Sequence, residues 1–228
     1  MYKKKIKKVM MYFFLILGTY LGIGYLLHLV IFPEKKPDIS TYFKPGDVFY
    51  SAAEKAKQTV LKQENGFVYC SAVIEPFAPG PPVHIHTEFD EVFEITNGEL
   101  SMLVNGEVKK IRPGQSLHVP KGTPHKPFNE TADTIHTKGY IAFPEKFAFG
   151  LAQVYGLMDN DPKFGKSAGT MLQMILLNNS GFDSYLDNPP LMVQKVTGFL
   201  LTPLARLMGY KSYYKAYDVK NRGIRNKK

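Results

Sequence analysis

The chain is poor in three things, and each absence narrows what it can be. It has a single cysteine, Cys70, among 228 residues, so no disulfide can form within it. Set in the apolar run Phe67–Ile74, Cys70 reads as a small core residue rather than a reactive thiol. Charge is absent from Val9 to Phe32, 24 residues in a row. Acidic residues are scarce at both ends: residues 1–36 carry seven lysines against Glu34, and residues 206–228 carry eight basic side chains against Asp218. The central part, 37–205, is net −4, so the overall +9 belongs to the termini. A mildly acidic middle argues against a nucleic-acid-binding domain, and basic ends next to an apolar run suit a membrane surface.

The uncharged run is long enough to span a bilayer, which takes about 20 helical residues. It exceeds the apolar region of a signal peptide, roughly 7–15 residues, and no small-x-small cleavage site follows it. A retained single-pass helix over 9–32 is predicted, with cleavage as the competing reading. Five lysines precede the run and Lys35 and Lys36 follow it, which places residues 1–8 in the cytoplasm and the remainder outside. Gly18 and Gly22 form a GxxxG pair that offers a route to a homodimer. Residues 33–62 read as a proline-containing tether followed by a short helix at Ser51–Lys62, opened by a capping-box pattern from Ser51 to Glu54.

Residues 63–145 contain eight strand-like runs in close succession, which favours a closed barrel or jelly roll. Asn105-Gly106 is a strong hairpin signal, and Asn97-Gly98 reads as another. Two clusters of chemistry lie within these runs. In the first, His84 and His86 are two apart on an extended segment and so share a face, with Glu91 on the next strand. In the second, His125 follows the rigid turn Pro120-Lys121-Gly122-Thr123-Pro124. Three imidazoles and a carboxylate suit a divalent transition metal (manganese, iron, nickel, copper or zinc) without choosing among them. Phe93 is expected to share the inward face of Glu91, while Phe77, Phe89, Phe128 and Tyr140 are candidates for core or pocket mouth. His118 is placed either behind a ligand or at the rim, and Glu88 and Asp90 in a solvated loop.

The two clusters resemble the paired motifs of the cupin family, G-x5-H-x-H-x3-4-E-x6-G and G-x5-P-x-G-x2-H-x3-N. His84, His86, Glu91 and Gly98 match the first; Gly114, Pro120, Gly122, His125 and Asn129 match the second in full. Ala78 stands where the first motif opens with glycine, and Gly80 lies two residues later. The resemblance implies an all-β, antiparallel cupin barrel with a metal held inside by His84, His86, Glu91 and His125. It admits dioxygenases and other oxidoreductases acting on a small organic substrate, and also non-catalytic modules that bind a small ligand or a metal.

Apolar spacing predicts helices at 146–158, 168–177 and 191–208 within a helical extension over 146–210, ahead of a basic tail at 211–228. The third helix carries a stripe, Met192, Val196, Phe199, Leu200, Pro203, Leu204 and Leu207, expected to meet the barrel, a twin subunit or the membrane interface. Lys195, Pro203 and Arg206 argue against a second membrane span.

Overall fold

The computed structural model describes residues 2–31 and 33–219. It begins with a helix, α1 (Tyr2–Val30), whose most apolar stretch of 18 residues has a mean hydropathy of 1.9 and no buried residue, so the helix is long and apolar enough to cross a membrane. Phe32 and residues 220–228, at the ends of the predicted span and tail, lie outside the described residues.

Twelve strands follow in two five-stranded antiparallel sheets and a two-stranded ribbon. The first sheet runs β1 (Val48–Ser51), β2 (Ala56–Glu64), β3 (Phe67–Ile74), β10 (Ile135–His136), with β11 (Ile141–Pro144) also paired to β3. The second is ordered β12 (Tyr185–Leu186), β4 (His84–Ile85), β9 (His125–Phe128), β6 (Leu100–Val104), β7 (Glu107–Ile111). The ribbon joins β5 (Glu91–Glu94) to β8 (Ser116–Val119). Asn105 and Gly106, with φ of 51° and 83°, make the expected primed turn between β6 and β7. Asn97-Gly98 does not close a hairpin: β5 pairs with β8, and the Asn97 amide donates to Thr134 O instead.

Among the described residues three further α-helices follow the main strands: α2 (Glu145–Asn160), α3 (Ala168–Asn178) and α4 (Leu191–Leu207). They change the expected all-β core. Phe147, Ala148, Phe149, Ala152 and Tyr155 of α2 join Phe49, Val60, Val68, Cys70 and Phe143 in one cluster, so helix and sheet share the main core. A second cluster, with Phe93, Leu100, Met102 and Val119, fills the space between the ribbon and the second sheet.

Other expectations are corrected. The helix expected at Ser51–Lys62 is strand β2 preceded by a turn. Ser51 Oγ accepts from the Glu54 N–H, as a cap would, but Lys55 then adopts φ 53° and the chain enters an eight-pair register with β3. Pairing and burial of Val60 outweigh a local helix signal. The tether is not free: Tyr42 and Phe43 are buried in the main core. Nor is the described part of the tail: Tyr213 stacks on Phe149, and Gln153 accepts from the Tyr214 N–H. The apolar stripe of α4 faces away from the barrel. Gly198, Thr202, Pro203 and Ala205 are its buried residues, with Ala205 in a cluster with α3, while Met192, Val196, Phe199 and Leu207 of the stripe stay exposed. Pro203 of this helix sits where a Cβ on Gly24 would be, 2.4 Å away, and Tyr20 and Tyr25 donate to the carbonyls of Leu200 and Phe199.

Candidate metal centre

The strand pairings bring the two histidine clusters together. His84 and His125 are direct partners across β4 and β9, and Glu91 opens the ribbon strand facing them. The ring centroids of His84 and His125 lie 4.4 Å apart, those of His84 and His86 4.8 Å, and those of His86 and His125 5.3 Å. One ligand atom from each of His84, His86, Glu91 and His125 falls within 4.8 Å of the others. Donors at that spread need draw in by only about half an ångström for bonds of roughly 2.0–2.2 Å to one central ion.

The imidazole tautomers follow from their backbone contacts. His84 Nδ1 lies 2.9 Å from Pro82 O, His86 Nδ1 2.7 Å from Asp183 O, and His125 Nδ1 2.9 Å from Thr123 O. A carbonyl only accepts, so each Nδ1 carries a proton and each Nε2 is turned to the cluster, where it offers a lone pair whenever the ring is neutral. His86 Nε2 is buried with no hydrogen-bond partner. His125 Nε2 stands 2.7 Å and His86 Nε2 3.5 Å from the same Glu91 oxygen. Lone pairs this close to a buried carboxylate call for a cation among them, whether a proton or a metal ion.

Electrostatics agree. Burial, followed by the neighbouring imidazoles of His86 and His125, pushes His84 down to about 3, so its ring is neutral and able to ligate. Burial would also discharge His86, but the Glu91 carboxylate outweighs it and raises its pKa. Burial alone would raise Glu91; His86 and His125 reverse this and hold it below the ordinary carboxylate range. Phe89 stacks on the His86 ring at 4.4 Å, and Phe147 meets it edge-on at 4.9 Å. Phe89 is therefore part of the wall behind His86, and Phe93 is buried on the Glu91 side as expected.

Asp183 was not visible from sequence. It lies between α3 and β12, buried, with φ 46°. Its carboxylate accepts from the N–H groups of Thr87 and Glu88 and from Thr87 Oγ1, and its carbonyl anchors His86. The C-terminal part of the chain thus clamps the turn that follows the histidine strand, and β12 adds a strand beside His84. The only hint is the turn chemistry of Gly181-Phe182-Asp183-Ser184. His118 belongs to the rim: it pairs with Asp90, which also accepts from the Lys121 N–H. Tyr140 and Phe77 are exposed. Asn129 is structural, joining Glu75 O, Asp133 O and Thr131 through its amide. The glycine missing at Ala78 is supplied at Gly80, where φ is +66° and a Cβ would fall 1.8 Å from Pro127 O.

Geometry, pairing and motif agree with the comparison to known families: residues 71–137 match the Cupin domain family. This stretch is a cupin domain. Outside it, the cupin pattern gives way to α1 and the three later helices. A curated relative, oxidoreductase iacF of Pestalotiopsis fici, is 40% identical over 48 residues, covering 21% of this chain and 24% of that protein. The chain thus matches about a quarter of that relative's length. Similar solved structures include a cupin-superfamily sugar phosphate isomerase from Silicibacter pomeroyi, at 20% identity and TM-score 0.37, covering 47% of this chain and 74% of that one. Another is the polyketide cyclase RemF from Streptomyces resistomycificus, at 20% identity and TM-score 0.37, covering 49% and 80%.

The cupin cluster opens on a cavity of about 1170 Å³ between the sheets and the helices α2, α3 and α4. Its walls are largely apolar, with Phe143, Leu151, Met174 and Phe182 among them. It also holds Glu54, a buried carboxyl that sequence reading passed over as part of a helix cap. Burial pushes Glu54 up to about 7, with Asp159 adding to the rise and a hydrogen bond from Tyr155 opposing it.

Proposed function

We propose that the cupin domain is a metal-dependent oxidoreductase acting on an apolar organic molecule, held at the membrane by α1. The observation that carries this reading is the set of three Nδ1–H groups anchored on carbonyls, which leaves three Nε2 lone pairs and Glu91 converging on one point. The donor set fits manganese, iron, nickel, copper or zinc. A bound ion would supply Lewis acidity and, as iron or manganese, redox chemistry with dioxygen. The chain's own residues do the rest. His84, His86, Glu91 and His125 hold the ion, Phe89 and Phe147 keep water from the His86 ring, and the apolar cavity admits an organic substrate. Glu54 is ionisable near neutral pH within that cavity, so it can hold or release a proton there. The oxidoreductase name of the fungal relative agrees in reaction class.

Membrane attachment is inferred from the length and apolarity of α1, and the five lysines ahead of its uncharged run favour a cytoplasmic N-terminus.

Elemental analysis of the full chain, purified without a metal-binding tag, should find about one transition-metal ion per chain. Oxygen uptake should depend on that ion when apolar alcohols, aldehydes and ring compounds are offered. Metal content unchanged in His84→Ala and His125→Ala would remove the site assignment. Bound metal without turnover on any substrate favours the alternative, a ligand-binding or sensing module.

A further inference from the structure

A second pocket lies where α1 leaves its apolar run. It has a volume of about 270 Å³ and is lined by His28, Glu34, Lys36, Arg206, Lys211 and Ser212, among others. Arg206 of α4 is half-buried over the Tyr25 ring, 5.4 Å from its centroid, and its Nη1 is buried without a partner. Among the described residues, nothing accepts a hydrogen bond from its guanidinium. Glu34 is the pocket's one carboxylate, and it is already committed: it accepts from the Ser212 N–H and Oγ and from the Tyr213 N–H, and it pairs with Lys36 at 3.2 Å. With Lys36, Lys211 and Arg206 against Glu34 alone, the pocket carries a net charge of +2 with His28 neutral.

A planar guanidinium with free donors, flanked by ammonium groups, suits the oxygens of a phosphate. The pocket's position names the source. Leu29, in the last turn of α1, forms part of its wall, and the exposed apolar side chains of α4, Phe199 and Leu207 among them, belong to the helix that carries Arg206. We propose that this pocket binds the phosphate of an anionic phospholipid headgroup. The site is separate from the metal centre and rests on α1 spanning the bilayer. Bound lipid would tie α4 to the membrane surface beside α1 and so fix how the cupin domain sits above it.

The test uses the full chain in nanodiscs of phosphatidylcholine, with and without phosphatidylglycerol, and native mass spectrometry to count retained lipids. Wild type should keep phosphatidylglycerol in preference to phosphatidylcholine. Arg206→Gln should lose that preference by about fivefold, the effect expected of one cation near an anionic headgroup. Lys211→Gln should weaken it and serves as a second variant if Arg206→Gln folds poorly. Lys195→Gln, a cation of α4 held over the Tyr185 ring, should leave it unchanged. Equal retention of both lipids by wild type, or full preference in both pocket variants, overturns the proposal. So does inorganic phosphate competing as well as phosphatidylglycerol, which would mark a free-phosphate site. A chain not retained in phosphatidylcholine discs removes the spanning reading and this proposal together.

Discussion

At the scale of the residue, two acidic side chains carry the sharpest expectations. Asp183 reaches the histidine strand from about a hundred positions later in the chain and satisfies two backbone N–H groups there. Asp183→Ala leaves those part-buried donors without their protein partner, at about 1 kcal/mol each. It should lower the thermal midpoint and also weaken metal binding 10–100-fold, because the His86 anchor shifts with it. A competition titration against a chelator separates the second effect from simple destabilisation. Glu54 titrates in the opposite sense from an ion-paired acid. Its folded pKa of about 7 lies above the ordinary carboxylate value of 4.5, so the folded state holds the proton more tightly. Stability from this group is full below about 4.5 and is lost as pH rises through 7. The ionised form costs on the order of 3 kcal/mol at pH 8. Glu54→Gln should therefore stabilise the protein at pH 8 and do little at pH 4, read by urea unfolding at both values. The four candidate ligands, which the structure brings into one cluster, were legible from sequence because ligand chemistry needs particular side chains at strand spacing. Asp183 and Glu54 were not, because each acts only after distant segments have folded against it.

At the scale of the element, glycines mark where segments approach closely. Gly80 passes Pro127 O with no room for a methyl group and with φ of +66°. Gly80→Ala should cost about 3 kcal/mol or more and disturb the β9 end of the metal centre, measurable as lost metal content together with a lower midpoint. On α1, Gly24 meets Pro203, whereas Gly18 and Gly22 meet nothing. Gly24→Leu should separate α1 from α4 and expose α4 to proteolysis, while Gly18→Leu should not. Equal protection in both variants would mean that the α1–α4 contact does not form in solution. The predicted helices and most strands were visible as periodic patterns. β1 was missed because residues 33–50 read as a tether, and β2 because Ser51–Glu54 carries a true local capping signal. Sheet pairing with β3 overrode it, and such pairing leaves no trace in a short window of sequence.

At the scale of the whole molecule, the helical part is no appendage. Helix α2 completes the main core, β12 extends the sheet that holds His84 and His125, and α4 contacts α1. If the cluster holds a metal as proposed, its removal should be felt throughout the cupin domain: a ligand present at 100 times its dissociation constant adds about 2.7 kcal/mol. Chelation should lower the thermal midpoint of wild type and leave His84→Ala unmoved. The sequence by itself determined the cupin motifs, the four candidate ligands, the apolar helix and the positions of the later helices. These depend on residue type and on spacings of a few positions. Only the tertiary structure decided that helix and sheet share one core, that Asp183 clamps the site, and that the apolar stripe of α4 faces away from the barrel. Those outcomes depend on which distant surfaces meet, and a face that looks fit for burial does not specify what will cover it.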